Sequence, residues 1–217
     1  MPGACTSACR SAAAVFPPAA SMPSTPYEDA VLKPYGPTVQ QAAEEFPAAF
    51  AELRRQHGLA EGPIAVVGAS IGALVTLSVV ASGEPPVSAI ALVSPALRLA
   101  SVVAANERRF AVTYPWSEHS RGVAADLDFV ARALELARLR APILFVVGAD
   151  DDVEGFVLPA QELAAALVNE DVEATVTRVP NMGHAIADEP GLEPAAQTAV
   201  AAAVDQVVSA WLRQHLG

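Results

Sequence analysis

The chain has 217 residues, 53% hydrophobic, 17% charged and only 6% aromatic, with a formal net charge of −11. That length suits one domain with a full core, and the composition fits a compact globular protein built on Ala, Val and Leu. An acidic surface repels phosphate backbones, which argues against nucleic acid as a partner.

Residues 1–37 are rich in Pro, Ser and Ala, with prolines at 17, 18, 23, 26, 34 and 37 that punctuate regular structure. Cys5 and Cys9 have no further cysteine or nearby histidine to join them, so they read as ordinary thiols and not as a metal half-site. The apolar run 12–16 follows a single basic residue, Arg10, and is broken by Pro17-Pro18, which makes a poor secretory signal. No segment approaches membrane-spanning length, and a cytoplasmic location is expected. One short strand is predicted at 11–16 and a helical turn at 28–32. Thr38 is placed as N-cap of an amphipathic helix over 39–56, closed by Gly58, with Pro47 expected to kink or split it.

Beyond residue 63 the pattern becomes regular. Strands are predicted at 64–68, 89–94 and 143–148, and an alternating, half-exposed strand at 172–179. Helices are predicted at 71–81, 156–168 and 194–216. The stretch 96–140 reads as mostly helical, interrupted by the aromatic, proline-containing segment 110–116. Strands alternating with helices give an α/β fold, a mostly parallel sheet with helices on both faces. The organisation expected is an irregular segment over 1–37, then a core over 38–217 carrying a helical insert at 96–140.

The chemistry is concentrated at three places. Gly68-Ala69-Ser70-Ile71-Gly72 is a G-x-S-x-G pentapeptide at the junction of a strand and a helix. Such a turn holds a serine hydroxyl exposed at the end of the sheet, so Ser70 is the candidate nucleophile and the N–H of Ile71 a candidate oxyanion donor. A turn of small residues without catalytic meaning is the competing reading. Serine becomes a useful nucleophile only beside a base, and His184, in the loop after the last strand, is the candidate. The base in turn works best with a carboxylate that fixes its tautomer. Asp150, Asp151 and Asp152 follow the third strand; Asp151 is favoured and Asp150 is the alternative, while any of the three could instead cap the helix before Phe156. Tyr114 and Trp116 could wall a substrate pocket or make ordinary core contacts. Glu107, Arg108 and Arg109 read as a solvated helix face.

Together, Gly68-Ala69-Ser70-Ile71-Gly72, Val147-Gly148-Ala149-Asp150-Asp151-Asp152 and Asn181-Met182-Gly183-His184 resemble the α/β-hydrolase superfamily from residue 64 onward. More narrowly, Tyr35-Gly36-Pro37, the run 41–47 and Val112-Thr113-Tyr114-Pro115-Trp116 look like small actinobacterial hydrolases. The resemblance implies hydrolysis of a small-molecule carboxylic ester or thioester through an acyl-Ser70 intermediate, with no cofactor or metal. One departure stands out. The superfamily's early strands and the Gly-rich turn that supplies the second oxyanion N–H are missing before Ser70, so the N-terminal part is atypical or truncated. The nearest substitute is the N–H of Phe16 or Val15, since Pro17 has none. The strand at 64–68 would then have an open edge, which a homo-oligomer could cover. Two other functions fit the same residues: a non-catalytic binding module with this fold, and an acyltransferase or perhydrolase.

Overall fold

The computed structural model describes residues 29–59, 61–186 and 196–216. The predicted strand at 11–16, Phe16, and both cysteines lie outside them. Four strands, β1 (Ile64–Ala69), β2 (Val87–Val93), β3 (Ile143–Gly148) and β4 (Ala174–Val179), form one sheet in sequential order with every pair parallel. Seven α-helices are described: α1 (Gly36–His57), α2 (Ile71–Ala81), α3 (Leu99–Phe110), α4 (Glu118–Asp126), α5 (Ala133–Ala137), α6 (Leu158–Asn169) and α7 (Ala199–His215). One-turn π-helices, Val31–Tyr35 and Val153–Val157, precede α1 and α6.

Side-chain alternation along the strands divides the core in two. Ile90, Leu92, Ile143, Phe145 and Val147 point toward α2, α3 and α6, against Leu74, Leu77, Val103 and Leu163. Ala89, Ala91, Val93, Leu144 and Val146 point the other way, against Val204 and Trp211 of α7. The crossover helices therefore share one face, as sequential parallel strands joined by connections of one hand require. The small residues Ala89 and Ala91 leave room on the opposite face for the Trp211 ring.

Coverage is uneven across the sheet. Every residue of β3 is buried, whereas in β1 only Gly68 is, and Val67 is 54% exposed. Among the described residues β1 is an edge strand, as expected.

Helix α1 runs through Pro47 as one element. Position 47 is exposed, so the carbonyl deprived of its proline partner can turn to water, and the helix need not break. The helix also begins at Gly36, before Thr38, because the π turn at Val31–Tyr35 feeds directly into it. Its end matches the expectation: Gly58 adopts φ 58° and its N–H donates to the Arg54 carbonyl.

Candidate active site

The site is assembled at the carboxyl ends of β1, β3 and β4. Ser70 sits between β1 and α2 at φ 49°, ψ −124°, a conformation that a non-glycine residue adopts only when its surroundings hold it there. The restraints belong mainly to β2. The N–H of Ser70 donates to the Val93 carbonyl at 3.0 Å, and its carbonyl accepts from Ala96 N at 3.1 Å and Ala73 N at 3.0 Å. Gly68 permits the close approach of strand and helix, since a Cβ there would lie 2.5 Å from Thr76 Oγ1 and 2.7 Å from the Gly72 carbonyl oxygen. Gly72, by contrast, faces open space, so the steric demand in the pentapeptide falls on its first glycine alone.

The loop after β4 carries His184 to the serine. Its Nε2 lies 2.8 Å from Ser70 Oγ, and its Nδ1 lies 3.1 Å from Asp151 Oδ2. With the ring proton on Nδ1 and donated to Asp151, Nε2 is an acceptor for the serine O–H. The Asp151 side chain is 2% exposed and the His184 side chain 28%, so the carboxylate is shielded from water while the imidazole can still reach it. The second carboxylate oxygen of Asp151 accepts from the Asp152 N–H at 2.8 Å.

Two backbone features lock the β3 and β4 loops together. Asp150 N donates to the Met182 carbonyl at 2.9 Å. Gly148 lies so close to the histidine loop that a Cβ would sit 2.6 Å from the Gly183 carbonyl oxygen and closer still to that of Met182. The Asp150 side chain is exposed and makes no bond to the histidine. Asp152 has the capping role, its Oδ1 accepting from Gly155 N at 2.7 Å.

Ile71 opens α2, and the N–H groups of a first helical turn have no intrahelical acceptor, so its donor is available beside Ser70. Phe16, the other expected donor, lies outside the described residues. Tyr114 is buried in the core, its O–H donating to Asp29 Oδ1 at 2.9 Å and its ring meeting Trp116 edge-on with centroids 4.8 Å apart. Burial pushes the Tyr114 hydroxyl above its ordinary pKa. Trp116 is half-buried against the same core. A cleft of about 510 Å³ lined by Phe50, Arg54, Leu59 and Pro85 lies at the opposite, amino-terminal end of β1 and β2, away from Ser70.

Two contacts were not legible in the sequence. The Phe156 ring lies over the His184 imidazole with centroids 4.0 Å apart and planes at 37°. Arg108 lies on the exposed face expected of it and there pairs with Asp152, Nη2 to Oδ1 at 2.6 Å, and with Glu154 Oε2 at 3.0 Å. The guanidinium holds the Asp152 carboxyl below the usual carboxylate range, and the carboxylate raises Arg108 in return. No local pattern announces a pairing across 44 residues.

A strand–serine–helix turn, a histidine after the last strand and an acid after the one before it, on a parallel sheet, is an α/β-hydrolase arrangement. Residues 26–216 match the prolyl oligopeptidase family. The chain belongs to that family. The family lies within the α/β-hydrolase superfamily, in agreement with the fold. No curated relative matches the sequence. Among solved structures, a puromycin-hydrolyzing peptidase of Mycobacterium tuberculosis is similar over 78% of this chain and 25% of its own, with 19% identity and a TM-score of 0.55. An uncharacterized protein of Bacillus cereus is similar over 82% of this chain and 44% of its own, at 16% identity and a TM-score of 0.53. Carboxyl esterase 2 of the mycorrhizal fungus Tuber melanosporum is similar over 84% and 61%, at 17% identity and a TM-score of 0.52. The chain thus spans less than two thirds of each of these proteins, and at such identities the likeness is one of fold. Among the described residues, no helix is long and apolar enough to cross a membrane.

Proposed function

We propose that the protein hydrolyses a small carboxylic ester or thioester through an acyl-Ser70 intermediate. The observation that supports this reading is the relay itself, Ser70 Oγ to His184 Nε2 at 2.8 Å and His184 Nδ1 to a buried Asp151 at 3.1 Å. Ser70 attacks the acyl carbon while His184 Nε2 takes the hydroxyl proton, and Asp151 orients the ring and stabilises the imidazolium. The Ile71 N–H faces the developing oxyanion at the positive end of α2. His184 then returns the proton to the leaving oxygen or sulfur, and water repeats the sequence to release the acid. The reaction requires no cofactor or metal.

Peptide-bond cleavage is the second reading, favoured by the family match over residues 26–216. An amide nitrogen leaves only when protonated, so it depends more on a complete oxyanion site and a well-set acid than an ester does. With one oxyanion donor among the described residues, the easier leaving group is the better fit. Intact-mass spectrometry after fluorophosphonate treatment tests the relay: one adduct is expected on wild type, none on Ser70→Ala, and much slower labelling of His184→Ala. A folded wild type with no adduct overturns the hydrolase reading and leaves a binding module. Parallel assays with p-nitrophenyl esters and peptidyl anilides then separate ester from peptide, and an added alcohol or peroxide exposes acyl transfer through its product.

A further inference from the structure

We propose that Arg108, on α3, is a positioning residue for Asp151, gripping the outer side of the acid turn so that the carboxylate stays aimed at His184. The inference rests on the relay reading above and extends it to a residue outside the relay.

The turn from Asp150 to Glu154 carries carboxylates at 150, 151, 152 and 154. Four like charges on five residues repel one another and favour conformations that spread them apart. Arg108 opposes this. Its Nη2 and Nε donate to both oxygens of Asp152, at 2.6 and 3.3 Å, and its Nη1 meets Glu154 at 3.0 Å. A planar fork fixes the orientation of a carboxylate as well as its charge.

Asp152 transmits that hold inward through its backbone. Its N–H donates to Asp151 Oδ1 at 2.8 Å, while Asp151 Oδ2 faces His184. Rotating the Asp152 peptide would release one oxygen of Asp151 and allow the other to swing from the imidazole. The same turn reaches the histidine again through Phe156, whose ring covers it. Helix α3 is seated close enough to serve as the anchor, since a Cβ on Gly155 would lie 2.7 Å from Ala105 Cβ. Arg108 itself is 43% exposed, and such a pair adds little to global stability, so its contribution lies in geometry.

The test compares Arg108→Gln, Arg108→Lys and Asp152→Asn in the full chain. Arg108→Gln should lower kcat on a p-nitrophenyl ester by about tenfold with KM unchanged, the mark of a misplaced relay and not of lost binding. Arg108→Lys should recover only part of that loss, because the charge remains but the fork that orients the Asp152 carboxylate is gone. The double variant Arg108→Gln/Asp152→Asn should lose no more than the worse single change, since both break one linkage. A kcat within about twofold of wild type in Arg108→Gln overturns the proposal. If wild type takes no fluorophosphonate, the relay reading fails, and hydrogen exchange decides the positioning separately. Faster exchange at 150–156 in Arg108→Gln, with 90–93 unchanged, supports the grip, and unchanged exchange at 150–156 removes it.

Discussion

Strands β1 and β3 both end at the candidate relay, yet they are held in different ways. β3 has a neighbour on each side and every residue buried, and the acid turn continues from it. Among the described residues β1 pairs only with β2, and it leaves Val67 54% exposed, yet it leads into the Ser70 turn. The strand before Asp151 is placed by the core, whereas Ser70 is placed by hydrogen bonds to the end of the neighbouring strand. A reactive group therefore need not sit on a well-covered strand if its backbone is bonded to one that is.

Substitutions should separate the two modes of support. The largest effect should come from the reacting groups: Ser70→Ala should cut ester turnover by about 10⁶-fold. Asp151→Asn should cost about 10⁴-fold by leaving the imidazole in the wrong tautomer. Both are read from kcat on a p-nitrophenyl ester. Next come the strands themselves. Leu144→Ala in β3 should destabilise by about 3 kcal/mol in urea unfolding, as a buried leucine truncation does. Val67→Ala in β1 should stay within about 0.5 kcal/mol, and equal losses at the two sites would mean that β1 is covered in solution by something beyond the described residues. Gly148→Ala should destabilise by about 2–4 kcal/mol and slow turnover as well, because the added methyl meets the carbonyls of Met182 and Gly183, which lead into His184.

A further small effect is a pH dependence. Arg108 lowers the Asp152 pKa in the folded chain, so the unfolded state takes up a proton first as pH falls. The pair's contribution is therefore full above the ordinary carboxylate range and lost as pH drops through the lowered folded value. Because both side chains are partly exposed, it should be under about 1 kcal/mol. Comparing urea unfolding of wild type and Asp152→Asn from neutral to acidic pH should show the gap closing in that window.

Much of the fold could be read directly from the chain. The helix at 71–81 and the strand at 143–148 stand as predicted, because each is an apolar run with turn residues on both sides. Edges were softer. β2 starts at Val87 and β4 at Ala174, each displaced by two residues from its apolar run, since flanking residues can join a ladder or leave it at little cost. The insert is helical on either side of a break at 111–117, one residue later than the 110–116 expected, because Phe110 closes the helix before it. At the site, the order of serine, acid and histidine was legible, but their distances were not, because loop geometry sets them. Choosing Asp151 over Asp150 followed from spacing, and the structure separates the two by burial. Phe156 and Arg108 had no signature at all, because each meets its partner only through the packing of the insert and the acid turn.

The bonds from Ser70 to Val93 and Ala96 also bear on how this chain could be altered by protein engineers. Val67, on the outer side of β1, is exposed, so variation there meets little of the core and leaves these bonds in place. The Val93–Ala96 corner offers no such freedom, because it is buried and any change that shifts its backbone shifts Ser70 with it. A search for new acyl specificity should leave that corner alone and draw its diversity from the exposed strand beside it.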